Sequence, residues 1–176
     1  MKIAICIKQV PDSWAEKKMA GGVLDRAGVD AVLNDLDEYA VEEALRIVEA
    51  NSPTKEAGEA SGHSITLISM GPERATEAIR KALSMGADDA ILVSDPALAG
   101  SDALATSLVL AAVIKKGNYD LVLCGTESTD ARMSVIPAMI SQRLGWAQLT
   151  FAGKVAVNPA TTTVEIELVT EFGNQV

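Results

Sequence analysis

A chain of 176 residues with 48% apolar and 22% charged side chains has the balance of one globular α/β domain, and neither the length of two ordinary domains nor the composition of a disordered chain. Fifteen Lys and Arg against 24 Asp and Glu leave a formal charge of -9, which repels a nucleic-acid backbone and disfavours that class of partner. The N-terminal run MKIAICIKQV is too short for a signal core, and no span reaches the roughly 20 apolar residues that cross a bilayer, so a cytoplasmic or organelle-matrix protein without membrane insertion is expected.

Residues 2–8 (KIAICIK) form a short, continuous apolar run, the pattern of a strand buried on both faces of a parallel sheet. A long connection follows, with Pro11, Asp12, Trp14, Gly21, Gly22 and Gly28 and little to pack beyond Val23 and Leu24; it reads as loop or small hairpin. A helix starts near Asn34–Glu38, where Asp35 and Glu38 have the spacing of a capping box, and presents Leu36, Ala40, Val41, Ala44, Leu45 and Val48 at helical period. Residues 54–62 are polar and expected to be exposed, and SITLISM (64–70) is the second strand.

Gly71-Pro72-Glu73 opens a second helix, with Pro72 expected at its first position and Gly86 just past its end. Residues 90–93 make a third strand. Ser101-Asp102 caps a third helix whose Leu104, Leu108, Ala111 and Ile114 line up toward a core. Residues 120–124 make the fourth strand, and a helix from about Ser134 to Leu144 takes Pro137 in its first turn, with Trp146 expected to pack in the core. The tail then alternates over 154–157 and 163–169, a two-stranded antiparallel piece turned by Asn158-Pro159, and the last residues read as the start of another strand.

Strands alternating with helices predict a doubly wound, mostly parallel Rossmann-like sheet with a C-terminal antiparallel hairpin, one nucleotide-binding domain over residues 1–176. Cys6 and Cys124 lie in strand-type runs and read as buried thiols, and one histidine, His63, removes most triad and metal mechanisms. In an open α/β sheet, ligands bind at the carboxyl ends of strands, where amides and helix N-termini favour an anion. That rule selects residues 6–12, 34–37, 70–72 and 125–136. Gly125 permits close backbone approach, Thr126, Ser128, Thr129 and Ser134 supply hydroxyls for phosphate or ribose, and Asp130 accepts from a ribose hydroxyl or caps a helix. Turn and cap chemistry uses the same residue types, so the pattern alone leaves both readings open. Arg132 either grips an anion or forms an interface ion pair. Neither G-x-G-x-x-G after strand one nor a P-loop motif is present.

The ordered set IKQVPD, NDLDEYAVEEALR, SMGPERATEAIRKALSMGADDAILV and DLVLCGTESTDARMSVIPAMISQRLGW resembles the β subunit of electron transfer flavoproteins over nearly the whole chain. The resemblance implies an electron-carrier subunit and not an enzyme. Its partner would be an α subunit that holds most of the FAD, its donors acyl-CoA dehydrogenases of fatty-acid β-oxidation and related flavoenzymes, and its acceptor a membrane quinone oxidoreductase. It also implies AMP bound by this subunit. Carried over by motif, Cys6 contributes backbone, and Asn34, Asp35, Leu36, Asp37 and Met70 border the adenosine. The phosphate and ribose fall to Gly125, Thr126, Glu127, Ser128, Thr129, Asp130, Ala131, Arg132, Met133, Ser134, Val135 and Ile136. Members with a second FAD in place of AMP tend to read D-G-D-T-x-x-V in that loop; Met133 stands where the threonine would be, which favours AMP. The family's C-terminal arm is expected to be absent or truncated. The alternatives are an ATP-hydrolysing adenine nucleotide α-hydrolase-like enzyme and a nucleotide-sensing module.

Overall fold

A computed structural model of the chain describes residues 1–52 and 62–175. The polar stretch expected to be exposed at 54–62 lies, but for Gly62, outside the described residues.

The central element is β1 (Lys2–Cys6), with β6 (Ser64–Met70) on one side and β8 (Leu121–Cys124) on the other, and β7 (Asp89–Val93) beyond β6. All three pairings are parallel, giving the order β7-β6-β1-β8. The predicted apolar runs follow from cover on both faces. Alternate residues feed two cores: Ile3, Ile5, Ile65 and Leu67 pack with α1 (Asp35–Asn51) and α2 (Thr76–Ser84), whereas Ala4 and Ile68 pack with Leu110 and Ile114 of α3 (Ala103–Gly117) and Ile140 of α4 (Ile136–Leu144). Each two-residue step along a strand therefore serves one layer, and the doubly wound sheet is the result.

Between β1 and α1 the long connection is more ordered than a loop. β2 (Gln9–Pro11) pairs antiparallel with β5 (Ala31–Leu33), and β3 (Met19–Ala20) with β4 (Val23–Leu24). Gly21 and Gly22 join the latter pair with φ of 58° and 84°, the left-handed conformations that a two-residue I′ hairpin turn requires. At the other end β9 (Ala152–Asn158), β10 (Thr163–Thr170) and β11 (Gly173–Gln175) form an antiparallel sheet, whose Val155 and Val157 pack against the first core beside α1.

Several predicted details are corrected. α1 begins at Asp35 after Asn34, and no side chain caps it, so Asp35 and Glu38 do not form the capping box. Pro72 precedes a short 3-10 turn (Glu73–Ala75), and α2 starts only at Thr76. α4 starts at Ile136 because Ser134 takes a left-handed φ of 54°. Asp102 does cap α3, accepting from the Ala105 amide at 2.8 Å, but the buried face is Ser107, Leu110, Ala111 and Ile114; Leu104 and Leu108 are 60% and 56% exposed. The α3–α4 seam sets that rotation. Arg143 of α4 donates to Ser107 Oγ and to the Leu104 carbonyl, both at 3.0 Å, and the small, satisfied serine lets the helices approach. Trp146 sits past α4 at the edge of a surface cleft and is not core.

Candidate functional site

β1 and β8 end side by side, with Cys6 and Cys124 in register. Both thiols are free and partly buried, and the Cys124 side chain, followed by burial, pushes the Cys6 thiol well above its ordinary value. Past these strands, the backbone after β1, the start of α1 and the loop 125–135 converge.

Asn34, almost fully buried, joins the last two. Its Nδ2 donates to the Glu127 carbonyl at 2.9 Å and its Oδ1 accepts from the Thr129 amide at 3.0 Å, so its side chain holds the loop and does not cap its own helix. Asp37, one turn further, is also buried; its Oδ2 accepts from the Lys8 amide at 2.7 Å. Burial raises its pKa from 3.8 to about 7, against the opposing pull of the Asn34 side chain, the Lys8 amide and charge, and the Gly125 amide. Gly125 is required sterically: a Cβ there would collide with the Asp37 carboxylate and stand 2.8 Å from the Leu36 carbonyl. The absent side chain is what lets the loop lie against the N-terminus of α1.

The second centre is Asp130, whose side chain is only 2% exposed. Oδ1 accepts from Lys8 Nζ at 2.8 Å and from the Ala131 amide at 2.7 Å, and Oδ2 accepts from the Arg26 guanidinium. Lys8 Nζ also donates to Ser128 Oγ at 3.2 Å. Burial alone would raise the pKa of Asp130, but bonds from Lys8, Ser128 and Arg26 outweigh it and hold the carboxyl well below its usual range. The loop then turns back on itself, the Arg132 amide reaching the Ser128 carbonyl at 2.9 Å, with Arg132 and Ser134 both left-handed. Glu127 accepts from Ser134 Oγ at 3.2 Å and faces Arg132 at 3.8 Å, so the arginine makes an ion pair within the loop.

Of the residues singled out from sequence, Asn34, Leu36, Asp37, Gly125, Glu127, Ser128, Thr129, Asp130, Ala131, Arg132 and Ser134 meet in this one assembly. Cys6, Met70 and Ile136 lie at its base, packed against the second core; Thr126 and Met133 are exposed, and Val135 leads into α4. Asp35 turns elsewhere, into an open cleft of about 410 Å³ that it shares with Asp12, Trp14, Glu38, Glu77 and Lys81. Sequence reasoning missed Arg26, and selected the segment around Lys8 without giving its side chain a role. A lone lysine closing an apolar strand run was a usable signal for Lys8; Arg26 meets a carboxylate 104 residues away, and nothing local announces it.

Such a site offers backbone amides, hydroxyls, two cations and fixed carboxylates at strand ends, the chemistry of a nucleotide's phosphate and sugar. No group of three or more His, Cys, Asp and Glu suited to a metal occurs among the described residues, nor any helix long and apolar enough to cross a membrane.

Comparison with known proteins bears on the whole chain. Residues 21–172 match the electron transfer flavoprotein domain family. Electron transfer flavoprotein subunit beta of Mycobacterium bovis is 46% identical over 94% of the chain and 61% of its own length, and that of Megasphaera elsdenii 39% over 95% and 62%. Protein FixA of Azotobacter vinelandii is 39% identical over 99% of the chain and 61% of its own length. The chain thus spans about three-fifths of the relatives it matches. With its parallel sheet and C-terminal antiparallel strands, the chain belongs to the electron transfer flavoprotein family, among its β subunits.

Proposed function

We propose that this chain is the nucleotide-holding half of a two-subunit electron carrier, with AMP in the assembly at Asn34, Asp37 and residues 125–136. The observation that supports the reading is Gly125 set against Asp37 and the Leu36 carbonyl: the loop is brought close to the start of α1, and Asn34 ties the two together through the Glu127 carbonyl and the Thr129 amide. Asn34 and Asp37 would border the adenosine, and Ser128, Thr129 and the loop amides would meet ribose and phosphate. A nucleotide there satisfies polar groups that otherwise rely on water, a structural role that needs no general base.

FAD belongs mainly to the α subunit. The cleft beside Trp14 is rimmed by Asp12, Asp35, Glu38 and Glu77, with Lys81 already 3.5 Å from Glu38, and such a rim repels a pyrophosphate. Bound flavin supplies the one- and two-electron chemistry, and this chain contributes enclosure and field. Acyl-CoA dehydrogenases and related flavoenzymes are the proposed donors, a quinone oxidoreductase the acceptor, and the cytoplasm or an organelle matrix the place. The ATP-hydrolysing alternative wants a Gly-rich phosphate turn after β1, where this chain instead has β2 paired with β5. A direct test mixes the assembled two-subunit complex with an acyl-CoA dehydrogenase and its substrate and follows the oxidised-flavin absorbance. Rapid bleaching is expected; an unchanged flavin spectrum with a competent donor would overturn the carrier role.

A further inference from the structure

Arg26 lies outside every segment that strand-end reasoning selects, yet it is built into the mouth of the loop. Asp25 Oδ1 accepts from the Ala27 and Gly28 amides at 3.1 and 2.9 Å, which fixes the turn that carries it. From the 3-10 turn after β6, Arg74 donates to the carbonyls of Arg26, Ala27 and Val29 at 3.0 to 3.3 Å, and Gln9 Nε2 reaches the Arg74 carbonyl at 3.0 Å. Three parts of the chain thus place one guanidinium. Its target, Asp130, is already bonded by Lys8 Nζ and the Ala131 amide. Two cations, Lys8 and Arg26, meet the single carboxylate of Asp130 here, while Arg132 is paired with Glu127.

We infer that Arg26 is a phosphoryl-binding residue, reaching across from the β4–β5 connection to the anion held by the 125–136 loop. A guanidinium has five donors in a rigid fork, so one edge keeps Asp130 while the other takes a phosphoryl oxygen. About half of the Arg26 side chain is exposed, whereas Asp130 beneath it is sealed. Among the described residues, Asp130 is the one side chain that Arg26 bonds. The ligand class is an adenine nucleotide with a terminal phosphate, and the inference rests on the nucleotide reading above. It also ties the excursion between β2 and β5, with Trp14 on it, to the state of the site, because a bound phosphate adds a second anchor to Arg26.

The test uses the full-length chain in its purified two-subunit complex, stripped of nucleotide, and measures AMP and adenosine binding by calorimetry for wild type, Arg26→Gln and Arg26→Lys. Loss of a charge-assisted bond weakens AMP by about tenfold or more in Arg26→Gln, leaves adenosine unchanged, and gives an intermediate value in Arg26→Lys. Equal weakening of AMP and adenosine in Arg26→Gln makes Arg26 a structural strap, and unchanged AMP affinity in both variants removes its role while leaving the nucleotide reading intact. A wild-type complex that binds neither ligand overturns both.

Discussion

Asp37 and Asp130 are buried carboxylates within one assembly that respond to pH in opposite ways. The fold raises Asp37 from 3.8 to about 7, so the folded state binds a proton that the unfolded chain has released, and the Asp37 contribution falls as pH rises from about 4 to about 7. Asp130 is held below its usual range; its contribution is complete above about 4 and is lost on acidification through its lowered folded value. Chemical denaturation of Asp37→Asn across pH 4 to 8 is expected to show a flatter slope than the wild type in that window; an identical slope would mean that Asp37 is not the titrating group. Gly125→Ala is expected to destabilise the chain by about 1–3 kcal/mol, since the new methyl must displace the Leu36 carbonyl or the Asp37 carboxylate, and nucleotide affinity should fall with it. Equilibrium unfolding with and without AMP measures both effects.

Helix α3 shows what a sequence states and what it withholds. Its cap is legible, because Asp102 acts locally. Its rotation is not, because ALATSLVLAAVIKKG is apolar on every side, and the face is chosen by Arg143 from another helix. The prediction that follows separates the faces: Leu108→Ala should change stability by less than about 0.5 kcal/mol, whereas Ile114→Ala should cost about 2–5 kcal/mol in the same denaturant series. The strands were legible for a related reason. Two-sided cover favours largely apolar runs; residues 3–7 are one, and 64–70 carry Ile65, Leu67, Ile68 and Met70 among small hydroxyl side chains, while the loop 125–136 was found because strand-end topology needs no side-chain detail. The capping box at Asp35 failed because the helix already begins there, with Asn34 in the cap position and its side chain turned to Glu127 and Thr129, a contact no local pattern encodes.

At the scale of the whole molecule, one end of the parallel sheet gathers Lys8, Asn34, Asp37, Gly125 and Asp130 into a rigid polar seat, and the excursion carrying Arg26 folds onto it. A ligand that binds only the folded seat adds stability by mass action, about 2.7 kcal/mol at roughly a hundredfold excess over its dissociation constant. AMP titration should therefore raise the melting temperature of the complex, and adenosine should raise it less. The most direct measurement of the central claim is the nucleotide content of the complex formed by the full-length chain with an α subunit, released by denaturation and identified by chromatography and mass spectrometry. One FAD and one AMP per pair are expected. Two FAD and no AMP, or an assembled pair with no adenine nucleotide beyond the single FAD, would contradict the account.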